Sequence, residues 1–202
     1  MSRPRSAESH AAILQAALEL VVEDGLRGTT IEGIAARAGV GKATIYRRWR
    51  TKEELFTEAL RTVAFPLPDP DTGSVRGDVL GIIRFNLEHA TRKAALLMPR
   101  LMVEGADDPG LFAAMQEVLV EPRRAVMRAI LQRGIERGEV RPDVDIDVAI
   151  DLLIGPYIYA VLYTGADLAA VAARAEEVLD LALPGLAPTP ASRARARRRS
   201  AA

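Results

Sequence analysis

The chain has 202 residues, 49% hydrophobic, 27% charged and 4% aromatic, with 27 basic side chains against 27 acidic ones and no cysteine. That length is enough to bury one generous core or two smaller ones, and the lack of cysteine excludes disulfides, thiolate metal sites and thiol nucleophiles. Few aromatics and abundant Ala, Leu, Arg and Val predict an all-α protein, and the helical patterns along the chain come to about nine helices.

The opening residues, MSRPRSAESH, lack the apolar core of a signal peptide, and the run LLIGPYIYAVLY (152–163) is too short to cross a bilayer. The expectation is a soluble, cytoplasmic protein with no membrane partner. The zero net charge hides an asymmetry. From Arg27 to Lys52 there are seven Lys/Arg against one Glu, whereas from Pro66 to Pro184 there are twelve against nineteen Asp/Glu.

Along residues 7–23, Ile13, Leu14, Ala17, Leu20 and Val21 follow the three-and-four spacing of an amphipathic helix, which Asp24-Gly25 stops. Thr29-x-x-Glu32 reads as a capping box for a second helix, Thr30 to about Ala38, closed by Gly39. A third helix spans Lys42 to Trp49. Ile45 and Trp49, four apart, take its buried side, while Lys42, Thr44, Arg47 and Arg48 point outward. Thr51-x-x-Glu54 caps a fourth helix carrying Leu55, Phe56, Ala59, Leu60 and Val63.

PLPDPD (66–71) cannot be helical, because its prolines lack N–H donors and extend the residues before them. It divides the chain into 1–65 and a second helical domain, 66–184. Further helical patterns lie near 74–91, 93–104, 109–137, 145–163 and 167–183. Pro156, inside one of them, predicts a kink. The Arg-rich tail 185–202 buries almost nothing and reads as disordered; its RARARRR run (193–199) is either a phosphate-attracting extension or a solvated end.

GVGKATIYRRW (39–49) admits two readings. A phosphate-binding loop needs G-x-x-x-x-G-K-[ST], but here Ala36 and Ala43 replace the first glycine and the hydroxyl, and the preceding segment is capped as a helix. A helix-turn-helix needs a small residue, a glycine turn and apolar locks, which Ala35, Gly39, Val40 and Ile45 supply in order. The basic outer face then suits a major groove, with Arg to guanine, Thr to a base edge, and Tyr46 among the cations. The bland alternative is a solvated charged face.

TTIEGIAARAGVGKATIYRRWRTKEELFTEAL, together with the helix before it, resembles the DNA-binding domain of the tetracycline-repressor (TetR) family over about residues 7–63. GPYIYAVLYTG (155–165) is similar to a segment of that family's penultimate helix. The resemblance implies a three-helix DNA-binding domain followed by a larger helical ligand and dimer domain. It implies a homodimeric one-component repressor that binds palindromic double-stranded operator DNA and is released by a small-molecule effector. Thr30, Tyr46 and Lys52 are then expected on phosphates, and Lys42, Ala43, Thr44 and Arg47 at base edges or their flanking phosphates, with Arg48 on the same face. Gly41 stands where the family carries a hydroxyl cap, which is a departure. Arg3 and Arg5, in a Pro-containing arm, either enter the minor groove or stay disordered.

The resemblance also implies that the last two helices of each subunit pair in a dimer. Val148, Leu152, Leu153, Val161, Leu168, Val171, Val178 and Leu179 form apolar stripes there, a pattern that suits an intramolecular core equally well. An effector pocket is expected from Phe85, Asn86, His89, Met98, Leu101, Met102, Glu104, Met115, Gln116 and Tyr157, where apolar bulk mixes with isolated polar groups; an ordinary core is the alternative. Tyr157, Tyr159 and Tyr163 cannot all face one way. Asp143, Asp145, Asp147 and Asp151 form a carboxylate cluster, but a helix start accounts for the first of them. With histidines only at positions 10 and 89, no catalytic arrangement, metal site or cofactor is expected. A DNA-binding architectural protein without an effector and a small phosphotransferase are the competing functions.

Overall fold

The computed structural model describes residues 3–64, 66–89, 101, 103, 105, 108–164 and 167–189. Its helices are α1 (Arg3–Gly28), α2 (Ile31–Arg37), α3 (Lys42–Tyr46), α4 (Lys52–Val63), α5 (Val75–His89), α6 (Pro109–Met115), α7 (Glu121–Glu136), α8 (Ile146–Tyr163) and α9 (Leu168–Leu186), and no strand occurs among the described residues. The chain forms two compact units. One takes Met1–Pro66 and Thr91–Pro122, the other Leu67–Ala90 and Arg123–Ala202.

In the first unit, α1, α2 and α4 surround a core of Ile13, Leu18, Ile34, Ile45, Leu55 and Leu60. The helix pattern of α1 is interrupted at Gly25 (φ 75, ψ 171) and resumes for a turn to Gly28, so the expected stop is an interruption. The helix begins at Arg3, where the sequence suggested an arm. Leu101, Leu111, Ala114, Met115, Val118 and Leu119 join this same core. The chain passes from the first unit to the second between Pro66 and Leu67, and 91–122 are grouped with the first. An amphipathic pattern shows that a helix has an apolar face without showing which core receives it.

Pro122 shapes the stretch before it. Lacking an N–H, it leaves the Val118 carbonyl without its α-helical partner. The backbone widens over Gln116–Val120 into a single π turn, in which the Glu121 N–H reaches the Gln116 carbonyl.

The second unit buries Val79, Ile83, Ile130, Leu131, Leu153, Ala160, Val171 and Leu179 between α5, α7, α8 and α9. The proline-rich segment is non-helical as expected, and it is tied to α7. Arg133 donates to Asp69 (2.9 Å) and to the Pro70 carbonyl (2.7 Å), and Arg137 to Asp71 (3.3 Å) and the buried Asp78 (3.4 Å). Asp145 caps α8, accepting from the N–H groups of Asp147 (3.0 Å) and Val148 (3.2 Å). Asp147 and Asp151 accept from Arg124, and Asp147 also from Arg128. These arginines hold the Asp147 carboxyl below the usual carboxylate range. The carboxylate cluster is thus engaged as cap and ion pairs. Helix α8 runs through Pro156 to Tyr163, with Leu153 and Ala160 buried on either side of it. Helix α9 continues to Leu186, past the expected end of the domain. The RARARRR run lies outside the described residues. So do the segment 93–100 and the side chains of Arg3 and Arg5.

Candidate nucleic-acid interface

The basic segment is built on two caps and one turn. The cap of α2 is Thr30, whose Oγ1 accepts from the Gly33 N–H at 3.0 Å. The expected box on Thr29 is off by one residue: Thr29 is buried and its hydroxyl donates to the Gly25 carbonyl at 2.6 Å. Glu32, released from capping, pairs with Lys42 instead (2.8 Å).

After Ala38 the chain turns at Gly39 (φ 66). The Gly39 N–H reaches the Ala36 carbonyl (3.3 Å) and the Val40 N–H the Ala35 carbonyl (3.0 Å), the paired bonds of a Schellman ending. A phosphate-binding loop would follow a strand, whereas this turn leaves a helix. Helix α3 opens at Gly41 with no side-chain cap and holds only five residues. The expected continuation to Trp49 is a hydrogen-bonded turn, in which the Trp49 N–H reaches the Ile45 carbonyl at 3.0 Å.

Ile45 (0% exposed) and Trp49 (3%) anchor this segment in the core. Burial of two such side chains contributes roughly 1.5–3 kcal/mol each. The opposite face presents Lys42, Ala43, Tyr46 and Arg47, all exposed, with Thr44 half-buried beside them. Tyr46 is 56% exposed, a large apolar ring held in solvent. The Lys42–Glu32 hydrogen bond lowers the Glu32 pKa and raises that of Lys42. Both groups are exposed, so the pair is screened and easily exchanged. On α4, Thr51 Oγ1 accepts from the Glu54 N–H (3.1 Å), as expected, while the Glu54 carboxylate accepts from the Arg50 N–H (2.8 Å).

Two of the residues expected on DNA have partners within the chain. Arg48 is half-buried, and its guanidinium donates to His10 and Ser6 of α1; its Nε is buried with no partner among the described residues. Lys52 is half-buried too, donating to the Leu26 carbonyl and lying 5.7 Å over the Phe56 ring. Ser6, His10, Glu32 and Glu58, which organise this surface, carry no local signal, because most of their partners lie between nine and 42 residues away in sequence.

The other expected sites divide. Phe85, Asn86 and His89 lie on α5; Asn86 donates to the Ile82 carbonyl (2.8 Å), and the His89 ring stacks on Phe85 (3.9 Å) with Nδ1 2.8 Å from the Phe85 carbonyl oxygen. Leu101 and Met115 are buried in the core of the first unit, and Gln116 opens the π turn there. Tyr157, half-buried, packs on the second core, where burial raises its phenol pKa. Met98, Met102 and Glu104 lie outside the described residues. Of the dimer candidates, Val148 (62%), Leu152 (45%) and Val161 are exposed. Val171, Leu179 and Leu153 belong to the second unit's core, where α9 packs on both α5 and α8. Val178 is half-buried, and the Leu168 side chain lies outside the described residues. Tyr159 and Tyr163, exposed and stacked at 5.4 Å, extend the outward face of α8.

Two family models match the chain: one described as bacterial regulatory proteins, tetR family, over residues 13–59, and one described as tetracyclin repressor-like, C-terminal domain, over residues 69–182. The chain is 36% identical over 167 residues to the HTH-type transcriptional regulator YdeS of Bacillus subtilis (strain 168), covering 82% of this chain and 84% of that one. It is 32% identical over 114 residues to the DNA-binding transcriptional repressor TetR of Mycobacteroides abscessus, covering 55% of this chain and 60% of that one. The solved structure of the flavonoid-responsive regulator FrrA shares the fold at a TM-score of 0.71 and 22% identity, over 90% of this chain and 98% of that one.

Proposed function

Because the chain belongs to the TetR family of bacterial regulatory proteins, we propose that it is a cytoplasmic one-component repressor, a homodimer that binds a palindromic operator and leaves it when a small-molecule effector binds the C-terminal helices. It is a DNA-binding helix-turn-helix regulator of transcription, and its relatives are regulators, not enzymes. Among the described residues no helix is long and apolar enough to cross a membrane.

The observation that carries the proposal is the exposed Tyr46–Arg47 face, set on a segment whose other side is locked by Ile45 and Trp49. Arg47, with no partner among the described residues, offers a guanidinium to guanine O6 and N7 or to a phosphate. The Tyr46 hydroxyl reaches a phosphate, and Thr30, whose oxygen caps α2, still has a proton to donate. Lys42 is delivered to DNA by exchanging Glu32 for phosphate. Arg48 and Lys52 support the segment from behind. A palindrome follows from two-fold symmetry, with half-sites about 34–36 Å apart. The dimer reading rests on the outward apolar face of α8. Repression follows the Mycobacteroides relative, and response to a small molecule follows FrrA.

The test is a gel-shift assay with a duplex enriched by the full chain from a random-sequence pool. Enriched sequences should be inverted repeats carrying two protomers, and a compound from a metabolite and antibiotic library should release the complex. Arg47→Ala should cost about 1–3 kcal/mol in affinity; unchanged affinity refutes the assigned face.

A further inference from the structure

The turn after α3 is fastened by polar groups that the DNA-facing surface does not itself use. The Trp49 indole N–H donates to Glu58 Oε2 at 2.6 Å, and His10 Nε2 lies 2.9 Å from the other carboxylate oxygen. The His10 ring stacks on the indole at 5.1 Å between centroids. Its Nδ1 is 3.0 Å from one terminal nitrogen of Arg48, whose other terminal nitrogen donates to the Ser6 carbonyl (2.9 Å) and hydroxyl (2.7 Å).

A guanidinium only donates, so Nδ1 must accept, and the ring proton must sit on Nε2 and go to Glu58. The network is satisfied by that one neutral tautomer. Arg48, from the turn after α3, and Glu58, from α4, hold the ring between two elements.

Apolar burial is non-directional and fixes how deeply α3 sits more firmly than how it is rotated. A five-residue helix with a glycine cap contributes little rigidity of its own. Directional bonds to Trp49 and Arg48 supply the missing constraint, and base reading needs placement within about 0.5 Å.

We propose that His10 and Glu58 are positioning residues for DNA reading, which set the rotation of the Tyr46–Arg47 face by holding Trp49 and Arg48. This rests on the DNA-reading role given to Tyr46 and Arg47.

The test compares the affinity of the full chain for the pool-enriched duplex with that for a scrambled duplex of equal length, a ratio that cancels the general attraction of added charge for phosphate. His10→Phe keeps a ring against Trp49 but neither nitrogen, and its ratio should fall about tenfold, the equivalent of one charge-assisted hydrogen bond. His10→Gln, whose amide offers an acceptor and a donor, should restore most of the wild-type ratio. Without DNA, the emission of Trp49, the chain's single tryptophan, should shift in His10→Phe and stay near wild type in His10→Gln. A His10→Phe ratio equal to wild type overturns the proposal, as does a His10→Gln ratio as low as that of His10→Phe. Failure of the DNA-reading assignment would appear separately, as an Arg47→Ala affinity unchanged, while the emission shift still reads the network.

Discussion

At Gly39 the backbone sits at φ 66, and a Cβ built there meets nothing within 4 Å. Any cost of Gly39→Ala therefore comes from the left-handed conformation alone, about 1–2 kcal/mol. Urea denaturation should show a lower midpoint at unchanged slope; an unchanged midpoint would mean that the turn relaxes without the Schellman bonds. Glycine at the turn, and Ile45 and Trp49 four apart, were legible because each depends on spacing within one turn of helix. The roles of Thr29 and Thr30 were not, since adjacent threonines offer the same hydroxyl and only the path through Gly25 decides which one is buried. The intrachain partners of Arg48 and Lys52 were hidden for a related reason. Their acceptors lie 42 and 26 residues back in sequence, and helical periodicity says nothing about such distances.

Among the elements, α8 is the one whose outer face asks for a partner. Val148, Leu152, Tyr159 and Tyr163 follow at intervals of four, seven and four, so they share a stripe. Gly155, between them, leaves open space where a side chain would stand. Contiguous apolar surface of this kind marks an interface. Since Leu152 is exposed in the single chain, Leu152→Glu should leave the helical circular dichroism intact while sedimentation shifts from dimer to monomer. A dimer that survives the charge would remove α8 from the interface. Helix positions were largely readable here, the sequence placing 145–163 and 167–183 close to α8 and α9. Which stripe faces inward was not: two apolar faces on one helix look alike until the neighbours are known, and Val171 and Leu179 went to α5.

For the molecule as a whole, composition was enough to give an all-helical fold. The return of 101–119 to the first core escaped the sequence, because an apolar stripe is compatible with either core. Charge carries further at this scale. The span 27–52 carries seven Lys/Arg against one Glu, a local cation excess that draws this segment toward phosphate. The most direct test of that orientation is hydroxyl-radical footprinting of the full chain, read by mass spectrometry at its tyrosines with and without the pool-enriched duplex. The account predicts that Tyr46 is oxidised readily in the free protein and severalfold more slowly on DNA, while Tyr159 and Tyr163 do not change on adding duplex. Tyr46 oxidised at one rate in both states, under conditions where the duplex is fully bound, would contradict it.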